Sequence, residues 1–206
     1  MLSILKPVSR LMDDSGKTYI NYCKKKISHI EEHIHPRHKI LDVGCGVIKN
    51  HRLCFDYLQN KGFNIRGIDK KALKTKKIDK GNVTALKHKA NSFDVVICLD
   101  VVEHIKDYKK AINELERVAK KRVILITPVI KFNTVRRILN RVRSLFGIGI
   151  LEGHHYEFFK NEIISSFKKK ARAKVSYIPY PLPILSSFLH KRKILSSGVF
   201  VIDFIP

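Results

Sequence analysis

The chain has 206 residues, with 41 Lys+Arg against 18 Asp+Glu, a formal net charge of +23 and 44% hydrophobic residues. That content suffices for one sizeable core in too little length for two ordinary domains, and it excludes a disordered tail. The longest apolar stretch, residues 123–130, is interrupted by Thr127 and Pro128, whereas a membrane-spanning helix needs about 20 residues. The N-terminal residues contain no apolar run of signal-peptide length, so secretion is not expected. Four scattered cysteines (Cys23, Cys45, Cys54, Cys98), with no CxxC pair, argue for a reducing, cytoplasmic compartment and against a disulfide framework or zinc ribbon. The charge suits anionic partners such as nucleic acid, an anionic membrane surface or phosphorylated metabolites. It equally suits a lysine-rich genome, because the lysines are spread over residues 24–26, 70–80, 168–174 and 191–193.

In chain order, residues 1–14 read as an N-terminal arm. Residues 16–34 read as a helix with Tyr19, Cys23, Ile27, Ile30 and Ile34 at spacings of three and four, ended by Pro36. Residues 39–43 form a short buried strand that runs into Gly44-Cys45-Gly46. A helix follows to about Asn60, with Gly62 as its stop signal. Residues 64–69 are a second strand, residues 70–77 a short crossover helix, and residues 78–83 a third strand. Residues 93–99 make a strongly apolar fourth strand. Residues 106–120 form a helix with Ile105, Tyr108, Ile112, Leu115 and Ala119 on one face, and residues 122–127 a fifth strand. Helices are predicted over residues 131–146 and 160–170, and strands over residues 175–179 and 199–205. Apolar strands alternating with helices predict an α/β protein. Its sheet is doubly wound, Rossmann-like and seven-stranded, with an antiparallel last strand and helices on both faces. The expected organisation is an arm and helix over residues 1–35 and one domain over residues 36–206.

Residues 40–46, ILDVGCG, are the most specific segment. A strand ends in a loop with two glycines before a helix, where the backbone can pass close to a ligand. It is not a dinucleotide fingerprint, because the third glycine of G-x-G-x-x-G would fall on Lys49. The acid two residues before the first glycine, Asp42, suits a cationic amino-acid ligand. Asp69, closing the second strand, can accept hydrogen bonds from ribose hydroxyls and would repel a 2′-phosphate.

These residues resemble the class I S-adenosylmethionine-dependent methyltransferases, especially the small type 11 group. ILDVGCG is similar to their first motif and IRGIDK (residues 65–70) to their second. GNVTAL (81–86) resembles the adenine-side segment, SFDVVICLDVVEHI (92–105) the fourth strand and following loop, and GHHYEFF (153–159) a late segment before the sixth strand. The resemblance implies S-adenosyl-L-methionine as cofactor. Asp42, Gly44, Cys45 and Gly46 would hold its methionine end and Asp69 with Lys70 its ribose. Asn82 and Val83 would flank the adenine, and Asp100 and Val101 would line the wall near the sulfonium. Two positions depart from the family pattern. Ile48 stands where another glycine is common, and Asn82 where an acid is usual.

A sulfonium already activates the methyl group, so the protein mainly aligns a nucleophile and can remove its proton. His104, His154 and His155 are the candidate bases; each could equally make a structural hydrogen bond. His29 and His33 share a helix face, but Pro36 and the lack of a companion carboxylate or cysteine pair argue against a metal. Residues 131–146 carry an apolar stripe (Phe132, Val135, Ile138, Leu139, Val142, Leu145, Phe146) flanked by arginines. It reads as core packing, a substrate lid or a surface helix on an anionic membrane. The expected activity is methyl transfer to a small-molecule or lipid-linked acceptor, in the cytoplasm or peripherally at the membrane. The alternatives are an RNA methyltransferase, favoured by charge but without an aromatic stacking motif, or a non-catalytic partner subunit.

Overall fold

The computed structural model describes residues 17–46, 53–71, 77–130, 158–179 and 195–205. The predicted arm, crossover helix, basic helix at residues 131–146, Ile48, His154 and His155 lie wholly or largely outside them. Twelve elements follow in order: α1 (Lys17–Glu31), β1 (Ile40–Val43), α2 (Leu53–Asn60), β2 (Ile65–Asp69), β3 (Ile78–Lys80), β4 (Phe93–Leu99), a 3-10 turn (Val102–His104), α3 (Tyr108–Val118), β5 (Ala119–Ile130), α4 (Lys160–Ile164), β6 (Ala171–Pro179) and β7 (Leu195–Phe204). The seven strands make one sheet in the order β3-β2-β1-β4-β5-β7-β6. β3, β2, β1, β4 and β5 run parallel, and β7 lies antiparallel between β5 and β6. This is the expected seven-stranded, doubly wound architecture with its antiparallel last strand.

The apolar runs explain the layering. All four residues of β1 are buried, and side chains of a strand alternate between faces. Leu41, Val43, Val96, Cys98, Val123 and Leu125 pack on one face against Ala111, Ile112, Leu115 and Val118 of α3. Ile40, Val95, Ile97, Ile124 and Ile126 pack on the other against Tyr22 and Ile30 of α1 and Phe55 and Leu58 of α2. Asp42, in step with Ile40, therefore faces the α1 side. The turn after α2 follows the sequence signal. Gly62 takes a positive φ of 82°, and the N–H groups of Gly62 and Phe63 return to the carbonyls of Gln59 and Leu58.

Several elements differ from the sequence reading: β3 ends early, at Lys80, and β6 and β7 each begin four residues before their predicted starts, at Ala171 and Leu195. The buried face of α1 runs through Tyr22, Lys26, Ile27 and Ile30, while Cys23 is only half-buried and Ile34 lies beyond the helix end. β5 continues through Pro128 to Ile130 because it stays paired with β7 as far as Leu195, although β4 stops pairing at Leu99 opposite Ile126. Past that point the side of β5 turned away from β7 needs no ladder donor. The Pro128 carbonyl there accepts the Phe158 N–H at 3.4 Å. α4 is a single short helix instead of one reaching residue 170. The Ser165 and Ser166 hydroxyls fold back on the Glu162 carbonyl at 3.3 and 2.7 Å, competing with helical propagation. The next N–H groups, of Lys168 and Lys169, are taken by the buried Glu116 carboxylate of α3.

Glu116 thus ties the turn before β6 to α3 on the same face of the sheet. Removing it takes the buried carboxylate acceptor from the part-buried hydrogen bonds of the Lys168 and Lys169 N–H groups. Glu116→Ala is expected to cost about 1–3 kcal/mol of stability in chemical denaturation, while Glu114→Ala, at the better exposed ion pair with Arg117, should cost less. Equal small losses in both variants would remove this assignment.

Candidate active site at the carboxyl edge of the sheet

Ligands of open parallel sheets sit beyond the carboxyl ends of the strands, and the polar residues of β1, β2 and β4 gather there. Two clefts meet at Gly44 and Asp100. One, of about 240 Å³, lies on the α1 side and is lined by Cys23, Lys26, Asp42, Cys45, Gly46 and Cys54 among others. The other, of about 350 Å³, runs along the strand ends past Asp69, Lys70, Asn82, Val83, Val101 and His104.

Gly44 sits where the clefts join. Its φ is +79°, and a Cβ there would come within 2.2 Å of the Val101 side chain. Only glycine satisfies both the left-handed backbone and the close approach. Asp42 is 1% exposed, and neither of its carboxylate oxygens has a hydrogen-bond partner. Burial, and then the nearby charge of Asp69, push its carboxyl up to about 7. Cys45 is buried: Gly67 lacks a Cβ, and one built there would meet the Cys45 sulfur at 2.7 Å. The half-buried Asp69 carboxylate is oriented by two backbone donors, Gly46 N–H at 3.1 Å and Lys71 N–H at 2.8 Å. Each of its oxygens keeps a further lone pair for a ligand hydroxyl. Lys70 is exposed beside it. The Asn82 Oδ1 accepts the Thr84 N–H at 3.1 Å, which fixes the side chain in an Asx turn, and Val83 is buried next to it.

Asp100 has a left-handed backbone, φ +50°, and its N–H donates to the Ile126 carbonyl at 2.8 Å. Its carboxylate is ion-paired with Lys26 of α1, a residue only 5% exposed whose ammonium lies 4.2 Å from the centre of the Tyr22 ring. Tyr22 in turn hydrogen-bonds Ser197 of β7. Burial, and secondarily the Asp100 charge, raise the Tyr22 hydroxyl well above its ordinary range. On the α3 side Glu103 is fully buried; Thr127 Oγ1 donates to its Oε2 at 3.1 Å while Oε1 has no partner. Burial, followed by Asp100, pushes the Glu103 carboxyl up to about 8. His104, next to it in the 3-10 turn, is exposed and faces the larger cleft.

The structure therefore brings Asp42, Gly44, Cys45, Gly46, Asp69, Lys70, Asn82, Val83, Asp100, Val101 and His104 to one edge. His154 and His155 fall outside the described residues. Sequence reasoning missed Lys26, Tyr22, Thr127 and Ser197. The signal available for the first two was a tyrosine and a lysine four apart on an otherwise apolar helix face. Among the described residues no group of three or more His, Cys, Asp or Glu side chains could hold a metal ion, and no helix is long and apolar enough to cross a membrane.

This edge, with its glycine junction and acids at the ends of β1 and β2, defines a nucleoside-type ligand site on a Rossmann-like sheet. Residues 41–127 match the family of the methyltransferase domain, type 11. Over that segment the chain is similar to the class I S-adenosylmethionine-dependent methyltransferases, type 11-like. An uncharacterized protein of Methanocaldococcus jannaschii is 36% identical over 95 residues, 44% of this chain and 40% of that protein. The match thus spans well under two thirds of that relative. The fold is shared with an S-adenosylmethionine-dependent methyltransferase from Archaeoglobus fulgidus (TM-score 0.63, 13% identity, 90% of this chain and 94% of that one). It is also shared with magnesium protoporphyrin IX methyltransferase from Synechocystis with bound SAH (TM-score 0.57, 17% identity, 91% and 84%).

The cofactor of this family is S-adenosyl-L-methionine, and the residues present fit it. An unpartnered buried carboxylate suits an α-ammonium, a glycine cradle admits a close ligand, and an oriented acid suits a ribose diol.

Asp42 binds its proton more tightly in the folded chain than in the unfolded one, where it titrates in the ordinary carboxyl range. Folding therefore loses stability as pH rises from about 4 toward 7, and the loss is complete above that, on the order of 4 kcal/mol. Glu103 acts with the same sign up to about 8. Thermal melts of Asp42→Asn should show a shallower decline between pH 5 and 8 than the parent chain. Parallel declines in the two proteins would mean that Asp42 is ionised at neutral pH and not desolvated.

Proposed function

We propose that this chain is an S-adenosylmethionine-dependent methyltransferase acting on a small-molecule or lipid-linked acceptor. The observation that carries the reading is the meeting of the two clefts at Gly44 and Asp100, with an amino-acid-type pocket on one side and a ribose-type acid on the other. When bound, the cofactor supplies a methyl group already activated on a sulfonium. The chain's own task is then alignment and exclusion of water. Asp42 with the Gly44–Gly46 backbone would hold the methionine end, Asp69 the ribose, Asn82 and Val83 the adenine. Asp100 and Val101 would form the wall beside the reacting centre. His104, exposed on the larger cleft, and His154 and His155 remain the candidate bases. Glu103, held protonated by burial, can donate a hydrogen bond at neutral pH but cannot take up a proton.

A small or lipid-linked acceptor is favoured over RNA by how the charge is distributed. Exposed Lys24 and Lys25 lie on α1, on one side of the sheet, and exposed Lys109 and Lys110 on α3, on the other. A nucleic-acid reader concentrates its cations on one face. The reading puts the chain in the cytoplasm, with peripheral contact to an anionic membrane if the acceptor is lipid-linked.

Calorimetry with S-adenosylmethionine and S-adenosylhomocysteine tests the cofactor assignment. Both should bind, and Asp69→Ala should weaken binding by about 1.5–3 kcal/mol, the range for hydrogen bonds to a charged group. Tight NAD binding without binding of either S-adenosyl ligand would overturn the assignment. Labelled methyl transfer in cell extract, fractionated into RNA, lipid and small molecules, tests the acceptor. Label is expected in the last two fractions, and label confined to RNA would replace the acceptor class.

A further inference from the structure

The methionine-side cleft contains a buried cation as well as a buried acid. Lys26 is 5% exposed and Asp42 1% exposed, yet both line the same 240 Å³ space. A buried ammonium is costly unless paired. Lys26 meets that cost with the Asp100 carboxylate and the Tyr22 ring. A lysine ammonium has three N–H donors, and one carboxylate need not occupy them all. Lys26 also lies outside residues 41–127, so nothing in the matched family segment assigns it a role. Tyr22, anchored to Ser197 of β7, fixes the turn of α1 that carries it.

Opposite charges in one small cleft are what an α-amino acid zwitterion requires. We propose that Lys26 is a cofactor-binding residue: its ammonium receives the α-carboxylate of the S-adenosyl ligand while Asp42 receives the α-ammonium, so that the cleft clamps the amino-acid end from both sides. Asp100 is the counterion that holds the Lys26 side chain in the cleft before the ligand arrives. It stays within reach when the ligand carboxylate takes a second N–H of the same ammonium. The inference rests on the methyltransferase reading and adds to it a specificity. Ligands with the complete amino-acid end are selected over adenosine thioethers that lack it.

The test compares S-adenosylhomocysteine with 5′-methylthioadenosine, which keeps the nucleoside and sulfur but has no amino-acid end. Their affinities are measured by calorimetry on the parent chain and on Lys26→Met. The parent should prefer S-adenosylhomocysteine. Lys26→Met should weaken S-adenosylhomocysteine about 10- to 100-fold, the equivalent of one hydrogen bond between charged groups, and leave 5′-methylthioadenosine within about twofold. Lys26→Gln keeps a polar group beside Asp100 and should give the same loss of preference, so it serves if the methionine variant does not fold. A purely structural Lys26 would weaken both ligands alike, and that result, or an unchanged preference in a folded variant, overturns the proposal while leaving the cofactor assignment standing. Failure of the parent chain to bind either ligand would instead remove the methyltransferase reading on which the proposal rests.

Discussion

Asp42 is the penultimate residue of β1, almost wholly buried, with neither carboxylate oxygen hydrogen-bonded. A carboxylate in that position is destabilising on its own account, because it has lost water and gained no partner. It persists at the floor of a cleft, and the surroundings are arranged about it. β1 delivers it, flanked by β2 and β4. Gly44 turns the chain away immediately beyond it, and Gly67 leaves room for Cys45 to pack inward. Buried Lys26 lines the same cleft from the helix above. Such sites cost stability and are tolerated where a ligand restores the missing interactions.

A second constraint follows from the first. Asp42, Asp100, Glu103 and Asp69 bring four carboxyl groups to one sheet edge in a chain of net charge +23. Their mutual repulsion is handled locally: Lys26 neutralises Asp100, backbone N–H groups hold Asp69, and Asp42 and Glu103 are pushed toward their protonated forms. The large excess of surface lysine takes little part. The chemistry at the edge is thus set by one buried cation and by desolvation, while the net charge governs how the outside of the molecule meets anions.

Much of this was legible in the sequence, for physical reasons that differ from element to element. Strands buried on both faces must be continuously apolar, so ILDV and FDVVICL stand out, and the acid within the first stands out against them. Gly44 was readable because a glycine between a buried strand and a helix signals a turn that other residues cannot make. Lys26 was only faintly readable: its spacing from Tyr22 on an apolar helix face is a signal, but periodicity assigns a lysine to the surface and its partner is 74 residues away. The course of β5 past Pro128 depends on its pairing with β7, and the early end of α4 depends on a carboxylate from α3. Both are tertiary effects that no local pattern encodes. The left-handed backbone of Asp100 is of the same kind.

The central claim is that Asp42 is a desolvated acid waiting for a cationic ligand group, and the most direct measurement is the carboxyl-carbon NMR titration of this residue. In the free protein it is expected to titrate at about 7. Saturation with S-adenosylhomocysteine should bring it down into or below the ordinary carboxyl range, because the α-ammonium stabilises the ionised form. An Asp42 signal that titrates in the ordinary range in the free protein and does not move on ligand binding would contradict the account.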